Sequence, residues 1–383
     1  MIGLIVLLGV AIGVYVFFQA YPPFGGKTSA SKKRQSPNFA NGKFINQIPT
    51  EMRIGFVGML SILRDQMRGA PGRRPPRPLV PERPDLSKAS KTGQPQITWF
   101  GHSTFLLQMN GKNLLLDPIF SRSASPFQAV GPQRFSDRLP VQPEDLPHID
   151  AVLISHDHYD HLDYASVKKL SAKVTMFFVP LGLAAHLRKW GVPAQRITEL
   201  DWWDKRSFEG LELVCTPSRH FSGRTLTDRF ATLWCSWVIV AGKTRVFFSG
   251  DSGYGPHFKQ IGDKHGPFDL TLMECGQYDP HWATIHMMPE QTVKAHQDLR
   301  GKRMIPIHWG AFVLALHSWT DSVERVLAAG AKAGTTIVTP KIGETFVFTA
   351  KEYPGSQWWK AYGTEHSSER PTTGKRRAQH GTA

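Results

Sequence analysis

Seven residues, Ser155-His156-Asp157-His158-Tyr159-Asp160-His161, follow directly on the wholly apolar run Ala151-Val152-Leu153-Ile154. A short apolar run of this kind predicts a buried central strand, so the loop after it opens at the end of a sheet. That loop holds four metal-binding side chains in the pattern HxHxDH: His156, His158, Asp160 and His161. Imidazole and carboxylate are good zinc ligands, and a catalytic site keeps one position open for water. In extended backbone His156 and His158 point the same way, and a turn at Tyr159 brings Asp160 and His161 to face a second ion. A polar surface loop is the competing reading, since the chain has 16 histidines. It does not explain why the cluster sits at the end of an apolar strand. The motif therefore predicts a metal-dependent hydrolase built around a sheet edge.

Four residues cannot complete two catalytic metal sites, so further ligands are expected at other strand ends. His220 comes after Val214-Cys215-Thr216, and His308 after Met304-Ile305-Pro306-Ile307. Asp251 follows Val246-Phe247-Phe248-Ser249-Gly250, where the glycine permits close backbone approach. The catalytic domain is predicted over residues 96–350. Residues 97–100 and 104–108 read as strands, Asn110-Gly111 as a two-residue hairpin turn, and 113–116 as the returning strand. Further strand-like runs (211–216, 233–240, 245–249, 270–273, 304–307, 336–338, 345–348) alternate with helical stretches (164–170, 181–190, 289–298, 320–331). The alternation predicts an α/β class with helices layered on sheets.

The chain's net charge of +15 lies in its flanks. Between Tyr21 and Pro95 there are 14 basic and 4 acidic residues, and from Ala350 onward 6 and 3, leaving 26 and 24 in the middle. A near-neutral catalytic region argues against nucleic acid as a partner, because phosphate contacts enrich Lys and Arg around the site. Residues 1–22 are predicted to be a transmembrane anchor. Ile2 to Tyr21 carry no charge and as a helix would span about 30 Å, the thickness of a bilayer core. No basic residue precedes the run, and Phe17-Phe18-Gln19-Ala20 is a poor cleavage site, which argues against a signal peptide. Lys27, Lys32, Lys33 and Arg34 follow, placing the catalytic domain on the cytoplasmic side by the positive-inside tendency. Residues 23–95 read as a basic, Pro-rich linker containing a short amphipathic helix over 54–68, and 351–383 as a polar, disordered tail. The cysteines Cys215, Cys235 and Cys275 are too scattered for a disulfide framework and read as buried thiols.

HxHxDH, then a histidine, an aspartate in a Gly-Asp turn and a late His-Trp-Gly, resembles the metallo-β-lactamase superfamily. Within it the chain is most similar to N-acyl-phosphatidylethanolamine-hydrolysing phospholipases D and their bacterial relatives. Matching segments include Trp99-Phe100-Gly101-His102-Ser103-Thr104, Asp117-Pro118-Ile119-Phe120, Gly131-Pro132-Gln133-Arg134-Phe135 and Glu199-Leu200-Asp201-Trp202-Trp203, with a fainter match at Gly42-Lys43-Phe44-Ile45-Asn46. The resemblance implies an αββα sandwich: two mixed β-sheets flanked by helices, with a dinuclear site at one edge. It assigns His156, His158 and His220 to one zinc, and Asp160, His161 and His308 to the other, with Asp251 bridging. Iron or manganese fits the same donors. His286 matches a family histidine near the substrate, although a histidine capping the helix that follows is an equal reading. His102 and Tyr159 are orienting groups or packing.

With Asp160, Asp251 and His286 as catalytic residues, the implied reaction is phosphodiester hydrolysis. The metals lower the pKa of bound water to about 7 and neutralise phosphate oxygens. The implied substrate is an N-acyl-phosphatidylethanolamine or related glycerophospholipid at a membrane, cleaved to phosphatidic acid and an N-acylethanolamine. A lactonase or ester hydrolase, an RNA-processing nuclease and a non-catalytic membrane-tethered module are the alternatives. Oligomeric state stays open, a homodimer included.

Overall fold

The computed structural model describes residues 2–28, 33–51, 64, 72–86 and 93–363. The expected amphipathic helix over 54–68, Arg64 apart, and the tail beyond 363 lie outside the described residues. The chain begins with α1 (Ile2–Ala20), a helix of 19 uncharged residues. Four of its side chains (Ile2, Leu4, Ile5, Ala11) are outside the description, and among the described residues no helix is long and apolar enough to cross a membrane. The fold therefore does not establish the expected anchor. A small hairpin follows, β1 (Phe39–Ala40) and β2 (Lys43–Phe44).

Two seven-stranded sheets make up the domain. The first comprises β3 (Gln96–Trp99), β4 (Phe105–Met109), β5 (Lys112–Leu116), β6 (Ile149–Leu153), β7 (Val174–Pro180) and β8 (Ile197–Leu200), with the late β16 (Thr345–Val347) beside β3. The second comprises β9 (Lys205–Phe208), β10 (Leu211–Thr216), β11 (Ser236–Ala241), β12 (Thr244–Phe248), β13 (Leu270–Glu274), β14 (Arg303–Ile307) and β15 (Thr336–Ile337) in that order. Each sheet is mixed: β5 to β8 run parallel, as do β12 to β15, and the remaining pairs are antiparallel.

Strand parity explains why these segments read as nearly continuous apolar runs. Successive side chains face opposite sides of a sheet, and a sheet covered on both faces needs apolar residues at every position. In the first sheet Phe105, Leu107, Leu114, Leu116, Ala151 and Leu153 join Leu213, Cys215, Trp237 and Ile239 of the second in one core. Their neighbours Leu106, Leu115, Val152 and Ile154 face the other way, onto Val167 and Leu170 of α2 (Tyr164–Leu170) and Leu187 of α3 (Ala184–Lys189). On the second sheet α4 (His257–His265), α5 (Pro289–Asp298) and α6 (Asp321–Ala333) bury Phe258, Ile261, Val293, Val323 and Val326. The layers are helix, sheet, sheet, helix. All three cysteines are buried and free.

Several boundaries differ from expectation. Leu233, Trp234 and Cys235 precede β11 rather than lying in it, and α3 starts at Ala184 because Pro180 to Leu183 form a turn. The described parts of the basic segment before residue 96 are not a free linker. Phe44 and Leu79 enter the core, and Arg219 donates to the Pro49 carbonyl and to the Thr50 hydroxyl. After residue 350, Trp359 is buried against Trp309. Apolar residues scattered singly among polar ones, Pro and Arg show no periodicity, so their packing could not be read from the sequence.

Candidate metal centre

Directions alternate so that β5, β6, β10, β12, β13 and β14 all end at the same edge of the sandwich. The residues just past these ends converge there. His156, His158, His220 and Asp251 form one cluster of donor atoms, and His102, Asp160, His161 and His308 form another, each within 4.8 Å. All seven expected ligands are thus brought together. Gly250 explains the position of Asp251: its φ is +55°, and a Cβ there would lie 2.6 Å from Ser155 Cβ and 3.0 Å from the Cys235 carbonyl oxygen.

The separations are those of ligands around an ion. In the first cluster His158 Nδ1 is 2.9 Å from His156 Nε2 and 3.2 Å from His220 Nε2. In the second, Asp160 Oδ2 is 3.1 Å from His308 Nε2 and 3.3 Å from His161 Nε2. Asp251 Oδ2 stands between them, 3.2 Å from His161 Nε2, 3.3 Å from His308 Nε2, and 3.7 and 3.8 Å from His220 and His156 Nε2. Donors about 2.0–2.1 Å from a tetrahedral zinc lie roughly 3.3 Å apart. Among the described residues ten buried side-chain atoms lack a hydrogen-bond partner, and His161 Nε2 and Asp251 Oδ1 are two of them; a bound ion would account for these two. The residues present fit a dinuclear metal site with Asp251 shared.

The opposite ring nitrogens are held from behind, as metal-binding histidines require. Asp117, just past β5, takes a 2.7 Å contact from His161 Nδ1 and a 2.5 Å hydrogen bond from the Ser155 hydroxyl, which in turn lies 2.9 Å from His156 Nδ1. His220 Nδ1 reaches the Ile285 carbonyl at 3.0 Å. Glu274, the last residue of β13, lies 3.5 Å from His308 Nδ1 and 3.1 Å from His286 Nδ1. Asn46, half-buried, clamps the His220 backbone: its Nδ2 donates to the His220 carbonyl at 2.8 Å, and its Oδ1 accepts from the His220 amide at 3.2 Å. The faint sequence match at Gly42–Asn46 has its physical meaning here. Tyr159 turns away, donating its hydroxyl to the Arg224 carbonyl and stacking under that guanidinium, so it is a packing residue.

Burial, reinforced by neighbouring imidazoles, holds His156 and His220 well below the ordinary histidine range, and burial also lowers His158. These rings are neutral, the form that binds metal. Burial also drives His102 down to about 3. Burial opposes charge at His161 and His308 too, but there the carboxylates win. Asp251 and Asp160 hold His161 well above the ordinary range, and Asp251 with the Asp160 and Glu274 hydrogen bonds raises His308 to about 10. Against burial, the same histidines keep Asp160 and Asp251 ionised.

Asp117, Glu274, Asn46 and the placement of His102 were missed or left open by the sequence reading. Glu274 carried a usable signal, a lone acid closing the apolar run Leu270–Met273, and Asp117 likewise closes Leu114–Leu116. The centre opens to a cleft of about 270 Å³ that includes His158, Asp160, Asp251, His286 and His308, with Phe221, Trp282, Ile285 and Leu314 as its apolar wall. His286 thus lies at the cleft and not merely at a helix start, with its side chain 13% exposed.

Comparison with known proteins agrees with this fold. A family model described as a beta-lactamase superfamily domain matches residues 112–309. The chain is 43% identical to an uncharacterised protein of Mycobacterium tuberculosis, covering 85% of this chain and 88% of that one. It is 34% identical to N-acyl-phosphatidylethanolamine-hydrolyzing phospholipase D 1 of Caenorhabditis elegans, covering 64% of this chain and 74% of that one. The crystal structure of CmlA, a diiron β-hydroxylase from Streptomyces venezuelae, superposes with a TM-score of 0.51 at 18% identity, over 66% of this chain and 54% of CmlA. The chain belongs to the metallo-β-lactamase superfamily, and its fold and donor clusters are those of a metal-dependent hydrolase of that superfamily.

Proposed function

We propose that the protein is a dinuclear zinc phosphodiesterase of phospholipase D type. In this reading it hydrolyses an N-acyl-phosphatidylethanolamine or a related glycerophospholipid to phosphatidic acid and an alcohol such as an N-acylethanolamine. The observation that carries the reading is 34% identity across three-quarters of a nematode enzyme named for that reaction. The cleft supports it: four of its lining residues are large and apolar, suiting acyl chains, and none of its described lining residues is Lys or Arg, unlike a nucleic-acid groove.

Two bound metal ions supply a nucleophile at neutral pH and neutralise charge on the phosphate. His156, His158 and His220 would hold one, and Asp160, His161 and His308 the other, with Asp251 common to both. Zinc suits a set dominated by imidazole, and the likeness to a diiron protein keeps iron as the alternative. The Glu274 hydrogen bond to His286 Nδ1 fixes that ring and leaves Nε2 for the cleft. In its imidazolium form, with both ring nitrogens protonated, His286 can give the Nε2 proton to the departing alcohol oxygen, which general acid catalysis places within hydrogen-bond reach. The apolar wall of Phe221, Trp282, Ile285 and Leu314 excludes bulk water and positions the lipid.

The same reading places α1 in a membrane, as an uncharged helix whose described apolar side chains from Val6 to Phe18 are exposed. The catalytic domain then works on the cytoplasmic face. Flotation of the full chain with phospholipid vesicles tests the anchor, and recovery of all protein in the aqueous fraction would reject it. Elemental analysis identifies the metal. A panel of phosphodiesters, lactones and RNA, assayed with metal-saturated protein, tests the reaction. Turnover confined to lactones or RNA would refute the lipid reading, and turnover of none would favour a binding module.

A further inference from the structure

We propose that His102 is a positioning residue for the second metal, a hydrogen-bond donor that aims Asp160 at the ion without binding it. The proposal rests on the two-metal reading above. Asp160 Oδ2, His161 Nε2, His308 Nε2 and Asp251 Oδ2 already supply four donors, with neighbouring separations of 3.1–3.3 Å. His102 Nε2 lies 2.9 Å from Asp160 Oδ2, a normal N–H···O distance. Asp160 is the member of that set that most needs holding: its side chain is 13% exposed, against 0%, 1% and 2% for His161, His308 and Asp251.

The backbone shows that His102 is built for this place. It sits in the turn between β3 and β4 of the first sheet, while His308 follows β14 of the second. The His102 amide donates to the Trp309 carbonyl and the His308 amide donates to the His102 carbonyl, both at 3.2 Å. Trp99 Nε1 also donates to the His102 carbonyl at 3.0 Å. Both histidines are left-handed, φ +55° at His102 and +68° at His308, a conformation that non-glycine residues keep only where surroundings enforce it. The His102 ring lies 4.3 Å from the His308 ring and meets the edge of Phe312 at 5.3 Å. One residue therefore ties together donors delivered by opposite sheets, Asp160 through its side chain and His308 through its main chain. Deleting the ring N–H frees Asp160 while the four donors themselves remain.

Two variants test this. His102→Phe keeps the ring contacts and removes the donor, and His102→Gln restores an N–H. Outer groups that orient metal ligands typically change metal affinity 10–100-fold. In His102→Phe, competition with a chromogenic chelator should show one of two zinc ions bound about 10–100-fold more weakly, with the other unchanged. kcat should fall at limiting zinc and recover at excess zinc, with KM unchanged, and His102→Gln should regain most of the affinity. X-ray absorption at saturating zinc should count the same nitrogen donors per ion as in the wild type. Wild-type affinity for both ions in His102→Phe would overturn the proposal, and so would one nitrogen fewer, which would make His102 a ligand. If His102→Phe does not fold, His102→Gln decides: second-zinc affinity within a few-fold of wild type supports the role, and loss of that ion overturns it. Wild-type protein holding fewer than two ions would overturn the two-metal reading and this proposal together.

Discussion

Replacing Asp251 by Asn tests the shared carboxylate, because it keeps the shape of the side chain and removes its charge. Asp251 Oδ2 is within 3.8 Å of four histidine nitrogens, two in each cluster, so one substitution reaches both proposed ion sites. Opposite unit charges even about 4 Å apart, farther than a ligand sits from its ion, are worth about 4 kcal/mol at an effective dielectric near 20, and about 1.4 kcal/mol is a factor of ten in affinity. The amide oxygen recovers part of this, so each zinc should bind on the order of a hundredfold to a thousandfold more weakly. The assay is elemental analysis after dialysis against a graded chelator series, with melting curves of the chelated proteins alongside. The chelated variant should still unfold cooperatively, since the substitution is isosteric and the strands that carry it are unchanged. Both ions retained at wild-type affinity in Asp251→Asn would refute the bridging geometry.

Other predictions follow from the same centre. Metal binding needs neutral imidazole, and His308 is raised to about 10 from 6.5. Zinc uptake at pH 8 should therefore release at least one proton, and apparent affinity should climb as pH rises towards about 10. In the metal-free protein that protonation stabilises the fold fully below pH 6.5 and is lost as pH rises through about 10. Calorimetry in buffers of different ionisation enthalpy counts the protons, and a count of zero at pH 8 would contradict the assignment. Gly250→Ala should destabilise by at least about 1–3 kcal/mol from its left-handed backbone alone, and the clash with Ser155 should displace Asp251. Lowered melting temperature together with metal loss is the expected result. Asn46→Ala removes two hydrogen bonds to the His220 backbone and should cost about 2 kcal/mol, with weaker metal binding at the His156–His158–His220 cluster. Thermal melts and chelator titration check both effects.

The apolar run before His156 and the strand ends before His220, Asp251 and His308 were legible because a buried strand has a local signature and its last residue has a fixed place in a sheet. Gly250 was legible for the same reason, since only a backbone approach explains a glycine at that point. The positions of Asn46 and His102 were not. Asn46 reaches His220 across 174 residues of sequence and His102 reaches Asp160 across 58, and such contacts leave no periodic trace in a single chain. The packing of Phe44, Leu79 and Trp359 was hidden in the same way, by Pro- and Arg-rich surroundings at Leu79 and by short polar ones at Phe44 and Trp359. β7, β8 and β9 also went unread. β7 mixes exposed Thr175 into its apolar run, and β9 (Lys-Arg-Ser-Phe) is an exposed edge strand whose charges suit a sheet margin.

The proposed reaction is water attack at phosphorus of a phospholipid by a two-metal centre. Its most direct test is hydrolysis of N-acyl-phosphatidylethanolamine in vesicles by the zinc-loaded full chain in water enriched in heavy oxygen, followed by mass spectrometry of both products. The expected products are phosphatidic acid carrying the heavy oxygen on its phosphate and an unlabelled N-acylethanolamine, both lost on chelation. Label in the alcohol or in a released fatty acid, or undiminished turnover in chelated protein, would contradict that reaction.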